Sequence, residues 1–145
     1  MTCLSDGCVF CKIIRKELPA SIIFEDDDVI AFLSNRPVNE GHTLVVPKKH
    51  YVDIHDVPES EAAKLFGITK RIARSVKDAM VPAGIRVVQN NGAAAGQVVF
   101  HLHVHIIPLT PRDDLHNSGV YRNVAYLATS QALERDAEKI RACLR

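Results

Sequence analysis

A chain of 145 residues, 47% of them hydrophobic and 24% charged, is the size of one domain able to bury its own core. Eighteen basic against seventeen acidic residues leave a formal charge of +1, which argues against a nucleic-acid-binding surface or an acidic tail and leaves any anionic ligand to local chemistry. No apolar run approaches the ~20 residues of a membrane span, and the start Met1-Thr2-Cys3-Leu4-Ser5-Asp6 has no basic or apolar leader, so a cytoplasmic protein is expected whose four cysteines serve metal or redox chemistry rather than a disulfide framework.

Residues 8 to about 15 read as a short helix with Cys8-x-x-Cys11 at its start and Val9, Phe10, Ile13 and Ile14 as its buried side. Leu18-Pro19 stops it. Apolar-rich runs at 21–25 and 29–33, joined by Asp26-Asp27-Asp28, predict a hairpin. A loop over 36–41 leads to a third strand, 42–47, closed by Pro47. Pro58-Glu59-Ser60-Glu61 opens the longest helix, its acids placed where they meet the positive end of the helix dipole. Leu65, Ile68, Ile72, Val76 and Met80 recur at helical spacing and should face the sheet, and Pro82-Ala83-Gly84 ends the helix. A fourth strand over 85–89, a glycine-rich loop over 90–97 and a fifth strand over 98–107 follow. After a polar connection, Leu133, Ala137, Ile140 and Leu144 mark a closing helix. With no repeat or linker, the pattern predicts one α+β domain over 1–145 with a mainly antiparallel sheet, a long central helix and a C-terminal helix.

The fifth strand carries the chemistry. In extended chain the side chains alternate, so His101, His103 and His105 share one face while Leu102, Val104 and Ile106 take the other. Neutral imidazoles are metal ligands, and a pKa near 6.5 also makes them nucleophiles, acids or bases at neutral pH. The loop Asn90-Asn91-Gly92-Ala93-Ala94-Ala95-Gly96-Gln97 lacks the lysine of a P-loop, but its glycines would let main-chain N–H groups approach phosphate oxygens. Cys8-x-x-Cys11 alone fits either a redox pair or half of a metal site.

His101-Leu102-His103-Val104-His105-Ile106-Ile107 resembles the signature of the histidine-triad nucleotide-binding family. Further segments resemble its small one-domain microbial branch: Cys8-Val9-Phe10-Cys11-Lys12-Ile13-Ile14, Gly41-His42-Thr43-Leu44-Val45-Val46-Pro47, Lys48-Lys49-His50, and Asn90-Asn91-Gly92 leading into Gly96-Gln97. The resemblance covers residues 8 to about 112. It implies a five-stranded sheet, a two-fold homodimer, a purine nucleotide substrate, and hydrolysis or transfer at the α-phosphorus of nucleoside phosphoramidates or dinucleoside polyphosphates through a nucleotidyl-histidine. His103 would be the nucleophile, and His105 would contact the phosphate and the leaving-group side, where a protonated imidazole could donate a proton. Asn90, Gly96, Gln97 and the backbone of Val98 would lie near the phosphate, and Ser34 near the ribose. Val98 stands where relatives usually carry Ser or Thr, and Ser34 where they carry Asp or Asn. The resemblance also implies a structural zinc on Cys8, Cys11, His50 and His101. No role is assigned to Cys3 or Cys143. His42, His55 and His116 read as packing or surface residues, although His42 matches a family position. Two other functions fit the residues: a nucleotide-binding regulator with vestigial catalysis, and a metallohydrolase with all three triad histidines on one zinc. The second lacks a carboxylate placed to act as base.

Overall fold

The computed structural model describes residues 5–113 and 129–145; Cys3, His116 and most of the polar connection before the last helix lie outside the described residues. The elements in chain order are α1 (Val9–Ile14), β1 (Ile22–Glu25), β2 (Val29–Leu33), β3 (Thr43–Pro47), α2 (Glu59–Met80), β4 (Gly84–Val88), β5 (Val104–Leu109) and α3 (Ser130–Ala142). The strands form one sheet in the order β1-β2-β3-β5-β4, each pair antiparallel, which is the α+β architecture expected.

Every residue of β2 and β3 is buried because both faces of the sheet are covered. Val29, Ala31, Leu33 and Val45 point into a core with Leu65, Ile68, Ile72 and Val76 of α2 and Ala137 and Ile140 of α3. Their neighbours Ile30, Phe32, Leu44 and Val46 point the other way, onto Phe10, Cys11, Ile13 and Ile14 of α1. A continuous apolar run is what a strand between two apolar layers requires, with the period of two deciding which layer each side chain joins. On α1, Cys11 is buried and Val9 is exposed, so the helix turns its second cysteine inward in place of the valine expected there.

β5 begins six residues later than the 98–107 expectation, and residues 98–103 lie outside any strand, with bends at 99–101. The cause lies in β3, whose ladder with β5 stops at Val45 opposite Val104. Pro47 beyond it has no N–H to continue the ladder, and its carbonyl accepts the Nε2–H of His101 at 2.8 Å. The Leu102 N–H donates instead to the Tyr51 carbonyl at 2.7 Å. The alternation of faces still survives the bends: Leu102, Val104 and Ile106 enter the core under α2, and the three histidines face the α1 side. At its other end β5 runs through Pro108, paired with Ile85 of β4 and past the last β3 partner, Thr43 opposite Ile106. Among the described residues no helix is long and apolar enough to cross a membrane.

Candidate active site and metal centre

Cys8 caps α1: its Sγ accepts the Cys11 N–H at 3.4 Å, and one helical turn brings Cys11 beside it. His50 follows the end of β3, and His101 lies in the bend before β5. Cys8 Sγ lies 3.4 Å and Cys11 Sγ 3.6 Å from His101 Nδ1, and Cys11 Sγ lies 3.3 Å from His50 Nδ1. All four donor atoms fall within 4.8 Å of one another. A tetrahedral zinc with bonds of about 2.3 Å to sulfur and about 2.0 Å to nitrogen sets its sulfur–nitrogen edges at about 3.5 Å, so the residues fit that ion. The Nε2–H of His101 is spent on Pro47, which leaves its Nδ1 lone pair aimed at the sulfurs, the tautomer a metal ligand needs. Cys11 is disulfide-bonded here, so a thiolate at that corner requires its reduction.

The remaining two triad histidines sit apart from this cluster. His103 Nδ1 lies 2.7 Å from the carbonyl of His101, an acceptor, so its proton is on Nδ1 and Nε2 carries a lone pair. The ring stands edge-on to Phe10, with centroids 5.1 Å apart, and to His105 at 4.8 Å. His105 is oriented by His42, which the sequence suggested as a packing or surface residue. His42, only 3% exposed, accepts the Val38 N–H at Nδ1 at 3.0 Å, which places its own proton on Nε2. That nitrogen lies 3.0 Å from His105 Nδ1. His105 Nδ1 therefore accepts, and neutral His105 carries its proton on Nε2. The position next to the core strand was the available signal, but the contact depends on the register that sets Leu44 opposite His105.

Electrostatics favour neutral rings at His42, His101, His103 and His105. Burial pushes His42 down to about 3, helped by His105 and then His103. Burial, with His103 beside it, lowers His105 to about 4. Burial lowers His101 to about 4, against the Pro47 carbonyl, which favours its charged form. His103 is also lowered by burial, opposed by its bond to the His101 carbonyl.

The other expected site residues divide. Gly92 and Gly96 have φ of +89° and +95°, the left-handed region that lets the loop turn back. Gln97 is buried and spent on that loop: its Oε1 accepts the Gly92 N–H at 2.8 Å, and its Nε2 donates to the carbonyls of Val52 at 2.7 Å and Val99 at 3.1 Å. These bonds brace the loop. Asn90 lies against Gly96. The Val98 side chain is 82% exposed. Ser34 is buried at the end of β2 with its hydroxyl accepting the Arg36 N–H at 3.2 Å. His55 is exposed.

The HIT domain family matches residues 15–112. Among curated relatives, the adenylylsulfatase HINT3 of Arabidopsis thaliana is 38% identical over 142 residues, covering 98% of this chain and 70% of its own. A HIT-like protein involved in cell-cycle regulation from Bartonella henselae superimposes with a TM-score of 0.83 at 38% identity, over 97% of this chain and 98% of that one. A zinc-bound histidine triad family protein from Mycobacterium smegmatis superimposes with a TM-score of 0.78 at 33% identity, over 94% and 92% of the two chains.

Proposed function

This chain belongs to the HIT family, and on that premise we propose that it is a nucleotide hydrolase or transferase acting at the α-phosphorus of a purine nucleoside phosphoramidate or dinucleoside polyphosphate. The observation that carries the reading is the His103 ring: its Nδ1–H is fixed on the His101 carbonyl, so its Nε2 lone pair is available as a nucleophile in the neutral form that burial favours. In the first step Nε2 forms a bond to phosphorus while the bond to the leaving group breaks, its electron pair departing with that group. His105 donates a hydrogen bond from Nε2–H to the departing atom, offsetting its charge. Burial lowers His105 to about 4, so in this reading it serves near pH 7 as a neutral hydrogen-bond donor. An amine departs with a proton taken up from solvent as its bond to phosphorus breaks; water then attacks phosphorus, the N–P bond to His103 breaks with its pair returning to His103, the hydroxyl stays on phosphorus and one proton returns to solvent. His42 holds His105 in the required tautomer.

Cys8, Cys11, His50 and His101 would hold a zinc ion with no open position, a closed set that ties α1 to the sheet and supplies structure rather than a catalytic water. The zinc-bound relative supports that assignment. A three-histidine metal cage is disfavoured by the same geometry, since His101 turns to the sulfurs while His103 Nδ1 is bound to backbone. The name of one relative, an adenylylsulfatase, suggests sulfate as a further leaving group. Steady-state turnover of a nucleoside phosphoramidate, a dinucleoside polyphosphate and an adenylyl sulfate tests the reading. Turnover of at least one, lost in His103→Ala, is expected. Nucleotide binding without turnover of any would leave the regulator.

A further inference from the structure

The residues that would hold the metal also hold the nucleophile. His101 faces two ways: its ring Nδ1 closes the sulfur cluster, while its carbonyl takes the Nδ1–H of His103 at 2.7 Å. Phe10, set between the two cysteines on α1, stands edge-on to both His101, at 5.9 Å between centroids, and His103, at 5.1 Å. The third ligand, His50, packs on His101 at 4.7 Å. Its neighbour Tyr51 accepts the N–H of Leu102, the residue between the first two triad histidines. Of the contacts fixing the His103 ring, the carbonyl thus issues from a ligand and the phenyl edge from the helical residue between two ligands, and the chain carrying His101 runs in a bend outside any strand.

We propose that the Cys8–Cys11–His50–His101 site positions the catalytic nucleophile, so that zinc occupancy governs the nucleotidyl-transfer step through the His101 carbonyl and the Phe10 ring without touching the nucleotide. His101 and Phe10 are positioning residues for His103. With the cluster closed, both contacts are anchored at one end of α1 and one end of β3. With it open, the bend around His101 is no longer tied to α1, although Leu102 stays bonded to Tyr51 and His101 to Pro47 at the end of β3, and the His103 ring loses its fixed tautomer and orientation.

This inference rests on the reading of His103 as nucleophile, and the experiment separates the two. Reduced full-length protein is prepared zinc-loaded and after chelation, with folding followed by circular dichroism and the imidazole nitrogens by ¹⁵N NMR at fixed pH. Loaded protein is expected to show His103 as a single Nδ1–H tautomer. Zinc removal from folded protein is expected to average that signal and to lower kcat for a nucleoside phosphoramidate by roughly tenfold or more, with nucleoside monophosphate affinity retained. An unchanged His103 signal and unchanged kcat in folded, zinc-free protein would overturn the proposal. If zinc removal unfolds the chain, zinc-loaded Phe10→Leu decides: it should keep its zinc yet shift the His103 signal and lose kcat, and wild-type values for both would overturn the proposal. If loaded wild-type protein turns over no nucleotide, the hydrolase reading fails and the ring signal alone decides the positioning role.

Discussion

His103 and His105 lie one pleat apart, yet their surroundings assign them different work. His103→Ala should abolish turnover, measured with a phosphoramidate, while leaving nucleotide affinity and zinc content near wild type, because a nucleophile contributes only in the transition state. His105→Ala should slow poor leaving groups more than good ones; a uniform loss across a series of graded leaving groups would remove its role at the departing atom. The buried rings also set an acid limit. His42 and His105 are held at about 3 and about 4, below the ordinary value of 6.5, so between roughly pH 6.5 and 4 the unfolded chain binds more protons than the folded one. Stability should therefore fall as pH drops through that window, by up to about 1.4 kcal/mol per pH unit for each such histidine, with no contribution above it. Urea denaturation at pH 7, 6 and 5 checks this, and His42→Gln should show a shallower loss than wild type. The triad was legible because three histidines alternating with apolar residues have few other uses. His42 was not, since one histidine beside an apolar strand names no partner until the register of β3 on β5 is known.

The strands and helices were legible wherever hydrophobic period and breakers agreed, as for α2 between Pro58 and Val81. The start of β5 was not, because ladder formation depends on the partner strand: Pro47 ends β3 and the ladder stops at Val45 opposite Val104, leaving residues 98–103 outside it. Gly41 shows a backbone demand at the entrance to β3. Its φ is +85°, and an added Cβ would lie 2.8 Å from Met80 Cγ and 3.2 Å from Pro108 Cγ. Gly41→Ala should cost about 1–3 kcal/mol through strain and crowding and lower the melting temperature by several degrees; a neutral effect would mean that Met80 moves aside freely. At the other end of the site, reduced wild-type protein should carry about one zinc per chain. Cys11→Ala should lose it along with several degrees of melting temperature, as expected when metal binding contributes folding free energy. Full stability without metal would contradict the tie between α1 and the sheet.

As a whole molecule the chain offers β4 as a sheet edge, with Val87 exposed on it and Phe66 and Val81 exposed on and just after α2. These are the elements through which the family resemblance implies a two-fold dimer, a feature that composition and periodicity do not encode. Light scattering at micromolar concentration should give close to twice the 16.0 kDa chain mass; a monomer would remove the neighbouring subunit from any account of the pocket. The central claim is narrower than fold or assembly: the chemistry passes through a bond between phosphorus and His103. Reduced, zinc-loaded protein mixed briefly with a nucleoside phosphoramidate, quenched and mapped by peptide mass spectrometry tests it directly. The account predicts a nucleoside monophosphate adduct on the peptide bearing His103, absent from His103→Ala. Rapid turnover with no adduct at any time, or with the adduct on His101 or His105, would contradict it.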